Sequence, residues 1–143
     1  MHTSTLTRSF ARPTIAQVVV AIAGLTHVLV GLAMLLAPMW FFVTIGTFPP
    51  FNRHYTGDMG AFQLALGAGL LFTVRAPAQY RLLIAVAAAG NLLHMFNHAY
   101  DALISNASLS YWLADTGPML VLTLALLLVS AGWLDRDRRQ EHV

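Results

Sequence analysis

Long apolar stretches alternate with short polar or proline-containing segments along this chain. The apolar stretches cover about residues 15–37, 58–74, 82–104 and 112–134. Each has the ~17–25 residues that an α-helix needs to cross the ~30 Å hydrocarbon core of a bilayer. Proline falls in the connections, as at Pro38 and Pro77, where helices end. The pattern predicts an all-α protein, an integral membrane four-helix bundle in one domain.

The composition supports a membrane location. The chain is 57% hydrophobic and only 10% charged, whereas soluble domains average about 25% charged residues. No nucleic-acid partner is expected. The chain has no cysteine, which excludes disulfides and thiolate–metal chemistry. The six histidines are therefore the leading candidates for metal ligands or proton carriers.

The positive charges predict an orientation in the membrane. The chain has no lysine, and all eight basic residues are arginines. Seven of them flank one side of the predicted helices, namely Arg8, Arg12, Arg75, Arg81, Arg136, Arg138 and Arg139. Because cytoplasmic segments are enriched in arginine, both termini are expected in the cytoplasm, with loops 38–57 and 105–111 outside. The expected location is a bacterial cytoplasmic membrane.

The third predicted helix carries the unusual stretch "NLLHMFNHAYD". Ala87, Asn91, His94, His98 and Asp101 are spaced four, three, four and three residues apart, so they share one helical face. Asn97 lies beside that face. At a rise of ~1.5 Å per residue, the two histidines lie in the outer half of the membrane.

The second predicted helix repeats this spacing. His54, Asp58, Ala61, Ala65 and Ala68 share a face if the helix begins before Asp58. The small residues Ala61, Ala65 and Gly69 are expected to let a neighbouring helix approach closely, as small residues do in membrane helix contacts.

Ionisable residues gather in the outer half of all four predicted helices. His27 in the first helix lies near the depth of His94, and Asp115 lies in the first turn of the fourth. Such residues cost roughly 2.5–3.5 kcal/mol each at the centre of a membrane helix and mark functional sites. The sequence therefore predicts a membrane-embedded polar site that faces the outside.

The nitrogen and oxygen donors favour a transition metal, with iron, zinc and copper as candidates. The predicted ligands are His54, Asp58, His94, His98 and Asp101. His27, Asn91 and Asn97 are predicted to bind a cofactor. Two alternatives stay open: a structural or proton-carrying network, and haem b between His27 and His94. Asp115 is interpreted as a helix cap, so Asp101 is expected to be the most important carboxylate and Asp115 the least.

Two stretches resemble a known family. "AGLTHVLVGLAMLLAP", followed by "GDMGAFQLALGAGLLFTVRAP", is similar to the DoxX-like group of small bacterial membrane proteins, which typically have four membrane helices. The resemblance covers about half the chain and leaves out "HMFNHAYD". It implies a membrane subunit of a quinone-coupled oxidoreductase.

The leading functional hypothesis is a metal-dependent membrane protein, an oxidoreductase or a subunit of one, acting on a lipophilic molecule or quinone. A non-catalytic accessory subunit with a structural polar network is the main alternative. A proton-coupled carrier is the third, and with only four helices it would need to oligomerise. Membrane lipid and a homo-oligomer or larger membrane complex are the expected partners.

Overall fold

The computed structural model describes residues 13–134, and every regular element in this range is a helix. The helices are α1 (Ile15–Leu36), α2 (Pro38–Thr44), α3 (Arg53–Thr73), α4 (Arg81–Ile104) and α5 (Leu109–Ser130). A π-helical turn, Trp112–Thr116, lies inside α5. The predicted tails and their arginines, Arg8, Arg12, Arg136, Arg138 and Arg139, lie outside the described residues.

Three of the described helices, α1, α4 and α5, are long and apolar enough to cross a membrane. This confirms the all-helical class and is consistent with an integral membrane protein. The remaining long helix, α3, has 21 residues, but its first two turns carry Arg53, His54 and Asp58.

Side-chain caps explain where the helices begin. Thr14 and Gln17 form a reciprocal capping box at the start of α1, which satisfies two backbone donors. The Asn52 side chain accepts from the Tyr55 N–H at 3.0 Å, so α3 begins five residues before the predicted start. Ser108 caps α5 in the same way, so α5 begins three residues before its predicted start. The short helix α2 lies within the predicted loop 38–57.

Glycines bring α1 and α3 together. The four that face each other are Gly24, Gly31, Gly60 and Gly67. A Cβ atom at Gly67 would lie only 2.8 Å from the backbone oxygen of Gly24, so a larger residue would force the helices apart. This backbone contact is the close approach expected of small residues in membrane helices.

The predicted contact face of α3 was wrong. His54, Asp58, Ala61, Ala65 and Ala68 do share a face, but all five are exposed. Nothing lies within 4 Å of the Cβ position of Gly69. The physical reason is that glycine allows a closer approach than alanine, so α1 packs on the glycine face instead.

An apolar core occupies one half of the molecule. It is formed by Ala16, Val20, Ala23, Leu70, Ile84, Ala87, Ala88, Leu126 and Val129. These residues come from the beginnings of α1 and α4 and from the ends of α3 and α5, so consecutive long helices run in opposite directions. We call this end of the molecule the core half and the opposite end the cavity half.

Candidate functional site

The cavity half contains a cavity of about 460 Å³. Its apolar walls include Val30, Met34, Phe41, Phe42, Ile45, Phe48, Met59 and Met119. Its polar lining includes Gln63, His94, Asn97, His98, Asp101 and Asp115. The segment after α2 covers part of the cavity, because the Phe48 ring contacts His98 edge-on with centroids 5.8 Å apart. The site is therefore an apolar pocket with a few polar groups, the usual character of a small-molecule site.

The π-helical turn of α5 places Asp115 against α4. Pro118 has no N–H and its ring would clash with a carbonyl four residues earlier, so it disrupts regular α-helical bonding before it. The Gly117 N–H instead donates to the carbonyl of Trp112, five residues earlier. Asp115 lies in this turn and accepts a hydrogen bond from Nδ1 of His98 at 2.7 Å. The capping interpretation of Asp115 was wrong, since α5 already begins at Leu109.

His98 links Asp115 to His94. The Nε2 atoms of His98 and His94 lie 3.0 Å apart. A carboxylate only accepts, so Nδ1 of His98 carries a hydrogen. When both rings are neutral, Nε2 of His98 accepts from the Nε2–H of His94. We call these three residues the Asp115–His98–His94 array. Its His98 and Asp115 side chains are only 15% and 20% exposed.

His27 belongs to a separate, buried chain of hydrogen bonds. Its Nδ1 bonds to Oε1 of Gln63, and its Nε2 lies 3.1 Å from Nδ2 of Asn91. Asn91 Nδ2 also donates to the Ala87 carbonyl at 3.1 Å. Both His27 nitrogens are therefore engaged in hydrogen bonds within the protein. Asn91 thus links the backbone of α4 to His27.

The remaining predicted ligands lie apart from the array. His54 and Asp58 pair with each other at 3.4 Å, with side chains 90% and 58% exposed, and neither lines the cavity. Asp101 does line it and accepts from Asn97 at 3.5 Å. Within residues 13–134 no three histidine or acidic side chains are placed to hold one metal ion.

Two residues outside the predicted ligand and cofactor set, Gln63 and Asp115, line the cavity. The Gly117-Pro118 pair inside an apolar helix was a signal for Asp115, because proline there perturbs the preceding turn. Gln63 carried no such signal. It is a lone amide, and its role depends on which residue of α1 faces it.

The chain matches no protein-family model, no curated protein and no solved structure at a significant level. The resemblance to DoxX-like proteins therefore stays a prediction.

Proposed function

We propose that this protein is a four-helix membrane bundle that binds a small lipophilic molecule with a hydroxyl-bearing head. The observation that carries the proposal is the Asp115–His98–His94 array at the lining of an otherwise largely apolar cavity. An apolar body would contact the phenylalanine and methionine walls, and the hydroxyl would reach the array.

In this proposal α3 is the fourth membrane-spanning helix. Its 21 residues extend ~31 Å at ~1.5 Å per residue, enough for the hydrocarbon core. It packs on α1, and its polar first turns lie at the cavity end. Arg75 and Arg81 lie at the opposite end, which supports cytoplasmic termini and a cavity near the outer surface of a bacterial cytoplasmic membrane.

The array is suited to accept a proton. In its neutral form His94 donates from Nε2, so Nδ1 of His94 is the remaining basic atom. A hydroxyl proton that moves to this Nδ1 leaves an oxyanion on the ligand and an imidazolium in the array. Transfer of the His94 Nε2 proton to Nε2 of His98 then places the positive charge beside Asp115, where a charge-assisted hydrogen bond stabilises it.

Binding of matched probes to the protein in lipid nanodiscs tests the proposal. 4-Propylphenol carries a hydroxyl that propylbenzene lacks. Ligand-observed NMR, with empty nanodiscs as the reference for partition into lipid, should show specific binding of the phenol. His94→Leu removes the Nδ1 acceptor and should weaken phenol binding about tenfold, as expected for loss of one strong hydrogen bond. His54→Leu, a histidine-to-leucine change at an exposed side chain that does not line the cavity, is the control. Equal signals for the phenol with protein-containing and empty nanodiscs would refute the proposal.

A metal ion is the second candidate, and the 3.0 Å separation of the two Nε2 atoms favours it. One zinc or copper ion at ~2.0–2.1 Å from each nitrogen fits between them. Asp115 would then hold His98 through Nδ1, a common arrangement that orients a metal-bound histidine. The protein has no cysteine, so thiols cannot supply redox chemistry. An oxidoreductase role would therefore depend on the bound metal, and it belongs to this second proposal.

Metal stoichiometry after anaerobic purification and reconstitution tests this candidate. We expect one metal ion per chain, lost in both His94→Ala and His98→Ala but retained in His54→Ala. Unchanged thermal midpoints would show that the variants are folded. Wild-type protein that takes up no metal, or loses it only with His54→Ala, contradicts the assignment.

A further inference from the structure

We infer that Gln63 is a specificity-determining residue that donates a hydrogen bond to an oxygen atom of the ligand. This inference rests on the proposed binding of a lipophilic molecule and names the chemistry that the cavity selects. It follows from a chain of hydrogen bonds that begins at the backbone of α4 and ends at the cavity.

The direction of every bond in this chain is fixed by its first member. The Ala87 carbonyl only accepts, so the atom of Asn91 that lies 3.1 Å from it is the amide nitrogen. The same NH₂ group lies 3.1 Å from Nε2 of His27, which must therefore accept and carry no hydrogen. His27 is then the neutral tautomer with its hydrogen on Nδ1, the atom that bonds to Gln63.

This tautomer orients the Gln63 amide. An N–H at Nδ1 of His27 requires the carbonyl oxygen of Gln63 as its partner, as the structure shows. The NH₂ group is the polar part of Gln63 that is left, and Gln63 lines the cavity. Among the described residues no hydrogen bond uses this NH₂ group. His27 and Asn91 are each only 6% exposed. Water therefore cannot readily replace their hydrogen bonds and allow the donor and acceptor directions to reverse.

The cavity thus offers a fixed donor at Gln63 and, in the neutral array, an acceptor at His94. A hydroxyl oxygen can accept from Gln63 while its hydrogen is donated to the array. A ketone can accept a hydrogen bond from Gln63 but has no hydrogen to donate to His94. A hydrocarbon can form neither hydrogen bond. The expected order of affinity is alcohol or phenol first, then ketone, then hydrocarbon. An oxygen-bearing lipophile is therefore the ligand class.

Propiophenone isolates the contribution of Gln63, because it has an acceptor oxygen and no donor. We expect wild-type protein in nanodiscs to bind propiophenone about fivefold more tightly than propylbenzene, the effect of about one hydrogen bond. Gln63→Glu keeps an oxygen for Nδ1 of His27 and replaces the NH₂ group with oxygen. A protonated carboxyl group in Gln63→Glu could still donate a hydrogen bond. Gln63→Met therefore serves as a second variant, because methionine has no donor. Gln17→Glu makes the same chemical change at the start of α1, where the capping box tolerates it.

Both Gln63 variants should lose the preference for propiophenone over propylbenzene while still binding 4-propylphenol through the array. Gln17→Glu should keep both properties. If the phenol binds and the propiophenone preference survives in Gln63→Met, the role of Gln63 is overturned while the proposed function stands. If the phenol itself does not bind to wild-type protein, the proposed function fails and the inference fails with it. Thermal midpoints identify a variant that has unfolded, and the other variant then decides.

Discussion

The two halves of the molecule are built from the same long helices but differ in what fills the space between them. In the core half, alanine, valine, leucine and isoleucine side chains pack between the helices, and Leu126 and Ile84 are fully buried. In the cavity half, a cavity of about 460 Å³ remains, and histidine, amide and carboxylate side chains line it. We therefore expect the core half to hold the helices together. We expect the cavity half to tolerate changes of its lining side chains without loss of the fold.

This difference predicts that substitutions should separate into two classes. Changes at the helix contacts and in the core half should lower stability, whereas changes in the cavity half should alter binding more than stability. Residues of the buried Asn91–His27–Gln63 chain, which joins the two halves, should affect both.

The largest effect is expected at the glycine contact of α1 and α3. Gly67→Ala would place a Cβ atom 2.8 Å from the backbone of Gly24 and of Val28. Backbone atoms cannot rotate away, so the helices must separate, at a cost of about 1–3 kcal/mol. Gly69→Ala in the same helix meets open space and should cause no loss. Reversible unfolding in lipid or detergent measures both. Equal stability of the two variants would show that the glycine contact does not determine the packing.

The next effect is expected at Asn91. Asn91→Leu removes the donor to Nε2 of His27 and lets the imidazole take the opposite tautomer. Interhelical hydrogen bonds in membrane proteins contribute on average about 0.6 kcal/mol and at most about 1.7 kcal/mol, so unfolding should become about 1 kcal/mol easier. The preference for propiophenone should fall as well. With the opposite His27 tautomer, the Gln63 amide can turn so that its NH₂ group bonds to His27 and no longer donates to the ligand.

A stability loss without a change in probe preference would contradict the role of Asn91 in orienting the chain. Asn97→Leu is the matched control. Asn97 is an exposed amide on the same helix, and its bond to Asp101 is long, at 3.5 Å. Asn97 also lines the cavity, but a leucine there would contact propiophenone and propylbenzene alike. This variant should therefore leave the free energy of unfolding and the ratio of the two affinities unchanged.

Much of this architecture follows from the sequence, because apolar segment length and proline placement are local properties. The α1 and α4 boundaries agree with the prediction to within one residue. The direction in which a helix face points is not a local property, because it depends on the neighbouring helices. His54 and His94 lie on faces with the same spacing, yet one faces outward and the other lines the cavity, since glycine packing on α1 decides how α3 is rotated.

The site could be predicted only in part for the same reason. His94 and His98 are one turn apart on one helix, so their proximity follows from helical geometry. The pairing of His98 with Asp115 depends on the π-helical turn, and the pairing of His27 with Gln63 depends on the α1–α3 register. Neither is encoded in the spacing of residues within a single helix.

The geometry reverses the order of carboxylates that the sequence suggests, and Asp115→Asn tests this order. The amide keeps the size of the side chain but removes the charge that holds His98. Binding of 4-propylphenol should weaken about fivefold to tenfold, the effect of about 1–1.5 kcal/mol. The free energy of unfolding should change by less than in Gly67→Ala. Unchanged phenol affinity would remove Asp115 from the array.

The smallest effect is expected for the exposed carboxylate of α3. Asp58 is paired with His54 at 3.4 Å, but the side chains are 58% and 90% exposed, and exposed ion pairs contribute about 0–1 kcal/mol. Asp58→Asn should therefore leave phenol binding unchanged and lower stability little. Asp101→Asn should fall between the other two, because Asp101 lines the cavity, where its carboxylate accepts a long hydrogen bond from Asn97 at 3.5 Å. Measuring the three variants side by side, with the same probe and the same unfolding assay, gives the order Asp115, Asp101, Asp58. If Asp58→Asn weakens phenol binding more than Asp115→Asn does, the exposed face of α3 contributes to the site, and the binding function does not reside in the cavity alone.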